Sequence, residues 1–313
     1  MKIAFFGTPE FAGNILSGIL EYPEINTSLV VSQPDKPVGR KRELFPTPVK
    51  QVALDARIEV IQPEKIKTNL EFHDYLKSLE LDFIVVVAYG KIIPQAILDI
   101  PKYGCINIHG SILPAYRGAS PVQAAVKDGL SQTGLTTMYM SAGMDEGDML
   151  KVATVDIDNV DTSEDIFKKF VDVGPELLVE TLKEIMSGDL TGTPQNHDKA
   201  THCGKISRED GEVFFEKQTA QEIYDTFRAY TPWPGIYSFY EGKRFVLEEI
   251  TFNNETTPGF MPGEVIKNEK KIGIVCSDKK ILEIQRVKLE GKKSMDCVSF
   301  VNGNREVIGY IFK

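Results

Sequence analysis

Short apolar runs alternate with helical patterns over the first 189 residues. The runs have few polar interruptions, and residues 83–87 (FIVVV) have none, which is typical of strands buried on both faces of a parallel sheet. We predict strands at 2–6, 27–32, 58–61, 83–87, 105–109, 134–140 and 149–155, and helices at 11–20, 69–78 and 165–186. Thr162 or Ser163 is a suitable N-cap for the last helix. This alternation predicts an α/β fold with a doubly wound, mostly parallel, Rossmann-like sheet.

The pattern changes at a polar, turn-rich segment. Residues 190–207 lack apolar periodicity, and we interpret them as a linker between a domain at 1–189 and a domain at 208–313. The second domain begins with a helical pattern at 220–229, and short β-branched runs follow it at 246–251, 263–267, 272–275, 281–287 and 307–312. Such runs, separated by charged or Gly-containing turns, predict a small, OB-like β-barrel.

The composition is that of a soluble globular protein, since 42% of the 313 residues are apolar and 26% are charged. The most apolar segment, 83–88, is far too short to cross a bilayer, and the run at 3–6 is too short for a signal peptide. The cysteines are far apart and form no CxxC pair, which favours free thiols over structural zinc: Cys105, Cys203, Cys276 and Cys297. We therefore expect a cytoplasmic monomer that binds no metal and no membrane.

Charge is distributed unevenly along the chain. The net charge of −9 argues against a protein that coats nucleic acid indiscriminately. Two segments are nevertheless basic: 35–50 has five Lys/Arg and two acidic residues, and 267–293 has nine and four. Either segment alone is more simply a solvated face. Two basic segments in separate predicted domains together favour a polyanion as partner.

Candidate catalytic groups appear where a predicted strand ends. Asn107 and His109 alternate with apolar residues at 105–109, so both side chains lie on one face of the strand. In a doubly wound sheet, ligands bind beyond the carboxyl ends of the strands. An amide and a protonated imidazole there can both donate to a developing oxyanion. The alternative is a buried Asn and His whose hydrogen bonds are satisfied within the protein.

His109 needs a carboxylate to orient it and to support its charge. The Gly-bracketed turn at 141–148 follows a predicted strand and offers Asp145, Glu146 and Asp148. Spacing alone does not choose among the three acids. The alternative is a solvated acidic turn without a catalytic role.

Three segments, 104–114 (GCINIHGSILP), 116–121 (YRGASP) and 144–149 (MDEGDM), resemble the folate-dependent formyltransferase family. The resemblance implies that Asn107, His109 and Asp145 are the catalytic group and that 10-formyltetrahydrofolate is the co-substrate, with no metal. It also implies folate contacts from the segment Ser111, Ile112, Leu113 and Pro114, where Ile112 replaces a leucine of the family pattern. Tyr89 and Gly90, in the turn after the strand at 83–87, are predicted to line the same folate site.

Two further matches concern the acceptor substrate. Residues 32–50 resemble the basic loop that is inserted in family members acting on methionyl-tRNA, where the loop enters the acceptor arm of the initiator tRNA. Arg40 takes the position of the critical arginine, with Lys41 and Arg42 beside it. Residues 229–235 (AYTPWPG) are similar to the family's Pro-Trp-Pro corner. The resemblance thus implies initiator methionyl-tRNA as partner.

Departures from the family pattern are modest. Ala115 stands where many members carry a basic residue, and Glu146 where threonine is common. These differences concern the contacts at both positions and not the class of enzyme.

Other functions fit the sequence less well. A glycinamide ribotide acceptor requires neither the second domain nor the basic loop, and the loop also argues against an amino-sugar nucleotide. A non-catalytic tRNA- or folate-binding protein leaves Asn107, His109 and Asp145 unexplained. A nucleotide-dependent dehydrogenase is disfavoured because residues 6–11 (FGTPEF) lack GxGxxG.

Overall fold

A computed structural model describes residues 1–38, 43–268 and 271–313. Contacts between residues divide the chain into two compact units. The first unit comprises residues 1–121, 132–156 and 167–203, and the second comprises 122–131, 157–166 and 204–313.

The first unit is built on a central sheet that has seven strands within the described residues. Its strands and those of two small ribbons are β1 (Lys2–Gly7), β2 (Asn26–Val31), β3 (Lys36–Val38), β4 (Glu43–Phe45), β5 (Val60–Ile61), β6 (Phe83–Val87), β7 (Cys105–His109), β8 (Arg117–Gly118), β9 (Gln132–Tyr139), β10 (Met149–Asp156) and β11 (His202–Cys203). The helices up to residue 203 are α1 (Glu10–Ile19), α2 (Pro48–Asp55), α3 (Leu70–Ser78), α4 (Gln95–Leu98), α5 (Pro121–Lys127) and α6 (Ser163–Ser187).

The order of the central sheet is β10-β9-β7-β6-β1-β2-β5. Strands β7, β6, β1, β2 and β5 are parallel, and β9 and β10 are antiparallel to their neighbours. Every residue of β6 is buried, as its uninterrupted apolar run predicts. The doubly wound, mostly parallel sheet predicted from the sequence is therefore confirmed.

Helix ends and helix packing follow from local chemistry. The Asn69 side chain accepts a hydrogen bond from the Phe72 amide, so α3 begins where the sequence predicts. Thr162 caps α6 reciprocally with Asp165, which identifies the N-cap among the two candidates. A Cβ added at Gly18 would lie 2.4 Å from Cγ of Pro175, so only glycine allows α1 to approach α6 this closely.

From residue 204 onward, the described part of the second unit contains an antiparallel sheet and two α-helices. Its elements are α7 (Ala220–Tyr230), β12 (Ile236–Tyr240), β13 (Lys243–Thr256), β14 (Val265–Asn268), β15 (Lys271–Val275), β16 (Lys280–Leu289), β17 (Met295–Asp296) and α8 (Cys297–Gly303). The strand order is β12-β13-β16-β15-β14, and β17 pairs with β16. Tyr240, Phe245, Phe300 and Phe312 form an aromatic core beneath the sheet. The predicted second β domain thus has an antiparallel sheet.

One predicted strand is wrong. Residues 307–312 do not form a strand; a 3-10 turn at Arg305–Val307 is followed by an isolated bridge at Ile311. Gly309 has φ +80°, which interrupts extended backbone, and the apolar side chains of Val307 and Phe312 instead fill the core. Sequence periodicity also missed α2, α4, α5, α8, β12 and the β3–β4 hairpin.

A buried ion pair lies within α7, and its arginine also hydrogen-bonds the segment before α6 in the second unit. The Arg228 guanidinium donates to Asp225 Oδ1, and both side chains are almost fully buried. Arg228 also donates to the carbonyl oxygen of Asp161 at 2.8 Å, while Gln221 donates to Asp225 at 2.9 Å. Each charge therefore has hydrogen-bond partners within the protein, which a buried charge requires.

None of the described helices is both long and apolar enough to cross a membrane.

Candidate active site

Asn107 and His109 lie at the carboxyl end of β7, in the middle of the central sheet. Asn107 is paired with Val86 of β6 and with Met138 of β9. The buried Ile106 and Ile108 alternate with these two residues, so Asn107 and His109 face the same side, as the sequence predicts. His109 is buried and Asn107 is half-buried. Among the described residues the Asn107 amide has no hydrogen-bond partner, so its N–H groups are available to a ligand.

The two ring nitrogens of His109 have different surroundings. Nε2 lies 2.9 Å from the carbonyl oxygen of Tyr116, and since a carbonyl only accepts, Nε2 carries a proton and donates it. Nδ1 lies 3.7 Å from Oδ2 of Asp145, which is within ion-pair range but longer than a hydrogen bond. A second proton on Nδ1 would therefore face a carboxylate.

Asp145 is the acid of the 141–148 turn that lies beside His109. Its Oδ2 also accepts a hydrogen bond from the Gly118 amide at 2.8 Å. Glu146 and Asp148, which the sequence left as alternatives, are exposed, and neither forms a salt bridge with His109 in the described part of the chain. Asp145 has φ +53°, a left-handed conformation that costs a non-glycine residue about 1–3 kcal/mol. Such a conformation persists only where surrounding contacts hold it.

The predicted folate segment follows β7 directly. The Ser111 hydroxyl donates to the Ala115 carbonyl at 2.6 Å, and Thr136 Oγ1 donates to the Ser111 carbonyl at 2.6 Å. These bonds fix a turn in which Ser111 and Leu113 are buried and the other two residues, Ile112 and Pro114, are half-buried. Only the half-buried pair presents side-chain surface to a ligand in this conformation.

Tyr89 and Gly90 present main chain rather than side chain at the end of β6. The Tyr89 ring is 1% exposed and packs edge-on against Phe6, with ring centroids 5.4 Å apart. Burial raises the pKa of Tyr89 to about 12. Its carbonyl accepts hydrogen bonds from Gln33 at 2.7 Å and from Thr8 at 3.1 Å. The predicted contact of these two residues with folate would therefore involve backbone atoms and not side chains.

The predicted tRNA-binding residues Arg40, Lys41 and Arg42 lie outside the described residues. Strands β3 and β4, on either side of them, pair with each other.

Polar contacts fix the two ends of the 32–50 segment. Lys50 Nζ lies 2.5 Å from Asp35 Oδ2, and Gln62 donates to Asp35 Oδ1 at 2.7 Å. The hydroxyls of Ser32 and Thr47 are 2.6 Å apart. Burial raises the pKa of the Asp35 carboxyl, but hydrogen bonds from Gln62 and Lys50 outweigh it and lower the pKa below its usual value.

Sequence reasoning assigned no role to several residues that contact this site. Tyr116, Arg117 and Gly118 belong to the YRGASP motif, but only the structure shows that Tyr116 contacts His109, Gly118 contacts Asp145 and Arg117 contacts Gln195. Gln195 lies in the segment interpreted as a linker, and it donates to the Asp145 and Gly147 carbonyls. Strand β11 lies in the same segment and pairs with β8. No local pattern marks Gln195, because its partners are distant in sequence. The predicted domain limits remain a prediction.

Among the described residues there is no group of three or more His, Cys, Asp or Glu side chains that could hold a metal ion.

Comparison with known proteins covers nearly the whole chain. The family model for formyl transferase matches residues 1–182, and the model for the formyl transferase C-terminal domain matches residues 205–305. Methionyl-tRNA formyltransferase of Caldicellulosiruptor saccharolyticus is 42% identical over 304 residues, which cover 97% of each chain. The enzyme of the same name from Listeria monocytogenes is 39% identical over 302 residues, covering 96% of this chain and 95% of that protein.

A solved structure with a similar fold is the N-formyltransferase from Helicobacter canadensis, in complex with folinic acid and dTDP-3-aminofucose. It superposes with a TM-score of 0.66 at 19% identity and covers 91% of this chain and 98% of that one. At this identity the likeness concerns the fold alone.

Proposed function

Because the chain belongs to the formyl transferase family, we propose that it transfers the formyl group of 10-formyltetrahydrofolate to the α-amino group of initiator methionyl-tRNA. One observation supports this chemistry. At the end of β7, a free Asn107 amide lies on the same face as the His109–Asp145 pair. The choice of acceptor rests on the likeness to methionyl-tRNA formyltransferases over almost the full length of the chain. We further propose a cytoplasmic monomer.

The reaction forms one C–N bond and breaks another. The neutral amine attacks the formyl carbon and gives a tetrahedral oxyanion; the bond to the folate nitrogen then breaks, and the proton lost by the amine ends on that nitrogen. Asn107 donates an N–H to the oxyanion. A preorganised donor of this kind contributes about 10²–10³ in rate.

His109 acts through Nδ1, because Nε2 already donates to Tyr116. The Asp145 carboxylate at 3.7 Å stabilises the imidazolium without occupying Nδ1–H at full hydrogen-bond strength. That proton is therefore available to the oxyanion, and Asp145 can receive the proton of the attacking amine for delivery to the leaving nitrogen.

Folate contacts are assigned to the two turns beyond β6 and β7. Ile112 and Pro114 offer half-buried apolar surface for the pterin ring, and the hydrogen bonds of Thr136 Oγ1 to the Ser111 carbonyl and from the Leu113 amide keep this turn in place. Gly90 offers exposed backbone groups, and the hydrogen bonds from Gln33 and Thr8 to the Tyr89 carbonyl hold this turn. Gly90 has φ +79°, and a Cβ there would lie 2.5 Å from Gln33 Nε2, so the turn requires glycine.

The tRNA is bound through the basic loop with Arg40, Lys41 and Arg42 and through the second unit. On that unit, Phe239, Arg244 and Lys288 line a surface cavity of about 530 Å³. The Arg244 guanidinium lies 4.0 Å from the centroid of the Tyr237 ring. Tyr237 is buried, but Phe239 is exposed beside Arg244 and Lys288, and an exposed ring next to cations suits a nucleic-acid backbone and its bases.

A side-by-side transfer assay tests the function. With formyltetrahydrofolate as donor, we expect formylation of methionyl-tRNA and little transfer to an amino-sugar nucleotide or to glycinamide ribotide. Preferential transfer to either small acceptor would show that this small molecule, and not tRNA, is the substrate. Folate binding without transfer to any acceptor would instead indicate a non-catalytic binding protein.

The base of the basic loop gives a separate prediction. In Asp35→Asn the half-buried ion pair with Lys50 is lost, and the loop is held less firmly. When the free energy that favours the ordered loop falls by about 1 kcal/mol, the KM for tRNA rises by about fivefold. The KM for folate is unchanged. Steady-state kinetics with each substrate varied in turn measures both values.

Asp55→Asn is the matched control, since it removes the same charge from an exposed position on α2. An equal rise in KM for tRNA in both variants would show that net charge, and not the Asp35–Lys50 contact, is responsible.

A further inference from the structure

The Gln195 side chain forms four hydrogen bonds that connect two segments of the candidate site. Its Oε1 accepts from Arg117 Nη2 at 2.7 Å and from Arg117 Nε at 3.0 Å. Its Nε2 donates to the carbonyl oxygens of Gly147 at 2.7 Å and Asp145 at 2.9 Å. A guanidinium only donates and a carbonyl only accepts, so the orientation of the amide is unambiguous and its hydrogen-bonding capacity is saturated.

This amide holds the turn that carries the catalytic carboxylate. Asp145 is in the left-handed region, which aspartate adopts more readily than most non-glycine residues but still at a cost in free energy, and Gln195 restrains the backbone there through the carbonyls at 145 and 147. The carboxylate itself is fixed by the Gly118 amide, one residue after Arg117. Backbone and side chain of Asp145 are thus held by neighbouring groups.

Residues 116–118 also orient His109, because Tyr116 provides the carbonyl that accepts from Nε2. The Tyr116 and Arg117 amides each donate to Thr201 at 2.8 Å, to its hydroxyl and its carbonyl respectively. Gly118 packs so closely on the same segment that an added Cβ would lie 2.1 Å from the Cys203 carbonyl oxygen. Gln195, Thr201 and Cys203 therefore support the residues that hold His109 and Asp145.

We propose that Gln195 and Arg117 are positioning residues of the transfer reaction. The buried Arg117 orients the Gln195 amide, and that amide keeps the Asp145 carboxylate beside His109 Nδ1. Arg117 Nη1 and Nη2 also lie 3.3 Å from His197 Nδ1, which leaves the guanidinium few other orientations. The inference rests on the proposed function, because it assumes that Asp145 takes part in formyl transfer.

Two variants of Gln195 separate its two roles. Gln195→Met removes all four hydrogen bonds, whereas Gln195→Glu keeps an acceptor for the buried Arg117 and loses both donors to the turn. We expect both to lower kcat by about 10–100-fold, as loss of a supporting contact at a site commonly does, with the KM for folate nearly unchanged. Lys199→Ala, an exposed position in the same segment, is the control. Full activity of Gln195→Glu in a folded protein would overturn the proposal.

A double-variant cycle distinguishes positioning from general destabilisation. If Gln195 acts through Asp145, adding Gln195→Glu to Asp145→Asn causes little further loss of the single-turnover rate. Independent, multiplicative losses would show that Gln195 has only a structural role, and so would end the positioning proposal. If Asp145→Asn alone retains normal turnover, the catalytic assignment fails first, and the two failures are distinguishable.

Discussion

Asp145→Asn is expected to lower kcat for formyl transfer by about 10²–10³-fold, the range found when one charge-stabilising group is removed from an active site. Asparagine has nearly the same shape, and its carbonyl oxygen can still accept from the Gly118 amide. The neutral amide, however, neither stabilises the His109 imidazolium nor takes up the proton of the attacking amine. The loss should therefore appear in kcat and not in folding, and single-turnover kinetics with saturating substrates measures it.

Asp148→Asn is the control for this prediction, because Asp148 lies in the same turn and is exposed. We expect it to retain nearly full activity. His109→Ala should resemble Asp145→Asn, and the double variant should be little worse than either single variant, since the two groups act as a unit. Near-normal turnover of folded Asp145→Asn would remove the carboxylate from the mechanism.

Arg228→Met is expected to destabilise the second unit by about 3–5 kcal/mol, the usual cost of leaving one partner of a buried ion pair alone. Asp225 is 6% exposed and would keep Gln221 as a hydrogen-bond donor without a counter-charge. The Asp161 carbonyl would also lose its donor. Urea unfolding, followed by a probe in the second unit, measures the change.

Two further variants test whether burial of the ion pair causes the loss of stability. Arg286→Met removes one partner of the exposed pair with Glu249 and should cost about 1 kcal/mol or less. Adding Asp225→Leu to Arg228→Met should restore part of the lost stability, because an apolar pair replaces the isolated charge. A similar small loss for Arg228→Met and Arg286→Met would mean that burial does not govern the Arg228 contact.

Local sequence patterns predicted the strands of the first unit well, because burial on both faces leaves a continuous apolar run. The exact bounds of β6 and β7 follow from residues 83–87 and from the alternation at 105–109. The β3–β4 hairpin and α2 were missed because their exposed or polar sequences carry little periodicity. The run at 307–312 was predicted as a strand because most of its side chains are apolar. The backbone instead forms a turn, and the side chains of Val307 and Phe312 pack into the core.

The sequence by itself determined that Asn107 and His109 share one face at a strand's carboxyl end, since alternation is a property of neighbouring residues. Together with the family resemblance, it also determined the class of reaction. The resemblance also selected Asp145 from the three acids of the turn, but only the tertiary structure showed that it lies beside His109 and gave Gln195 a place at the site. Arg117 and Gln195 are 78 residues apart, and the way the sheet brings such distant segments together is not encoded in any local pattern.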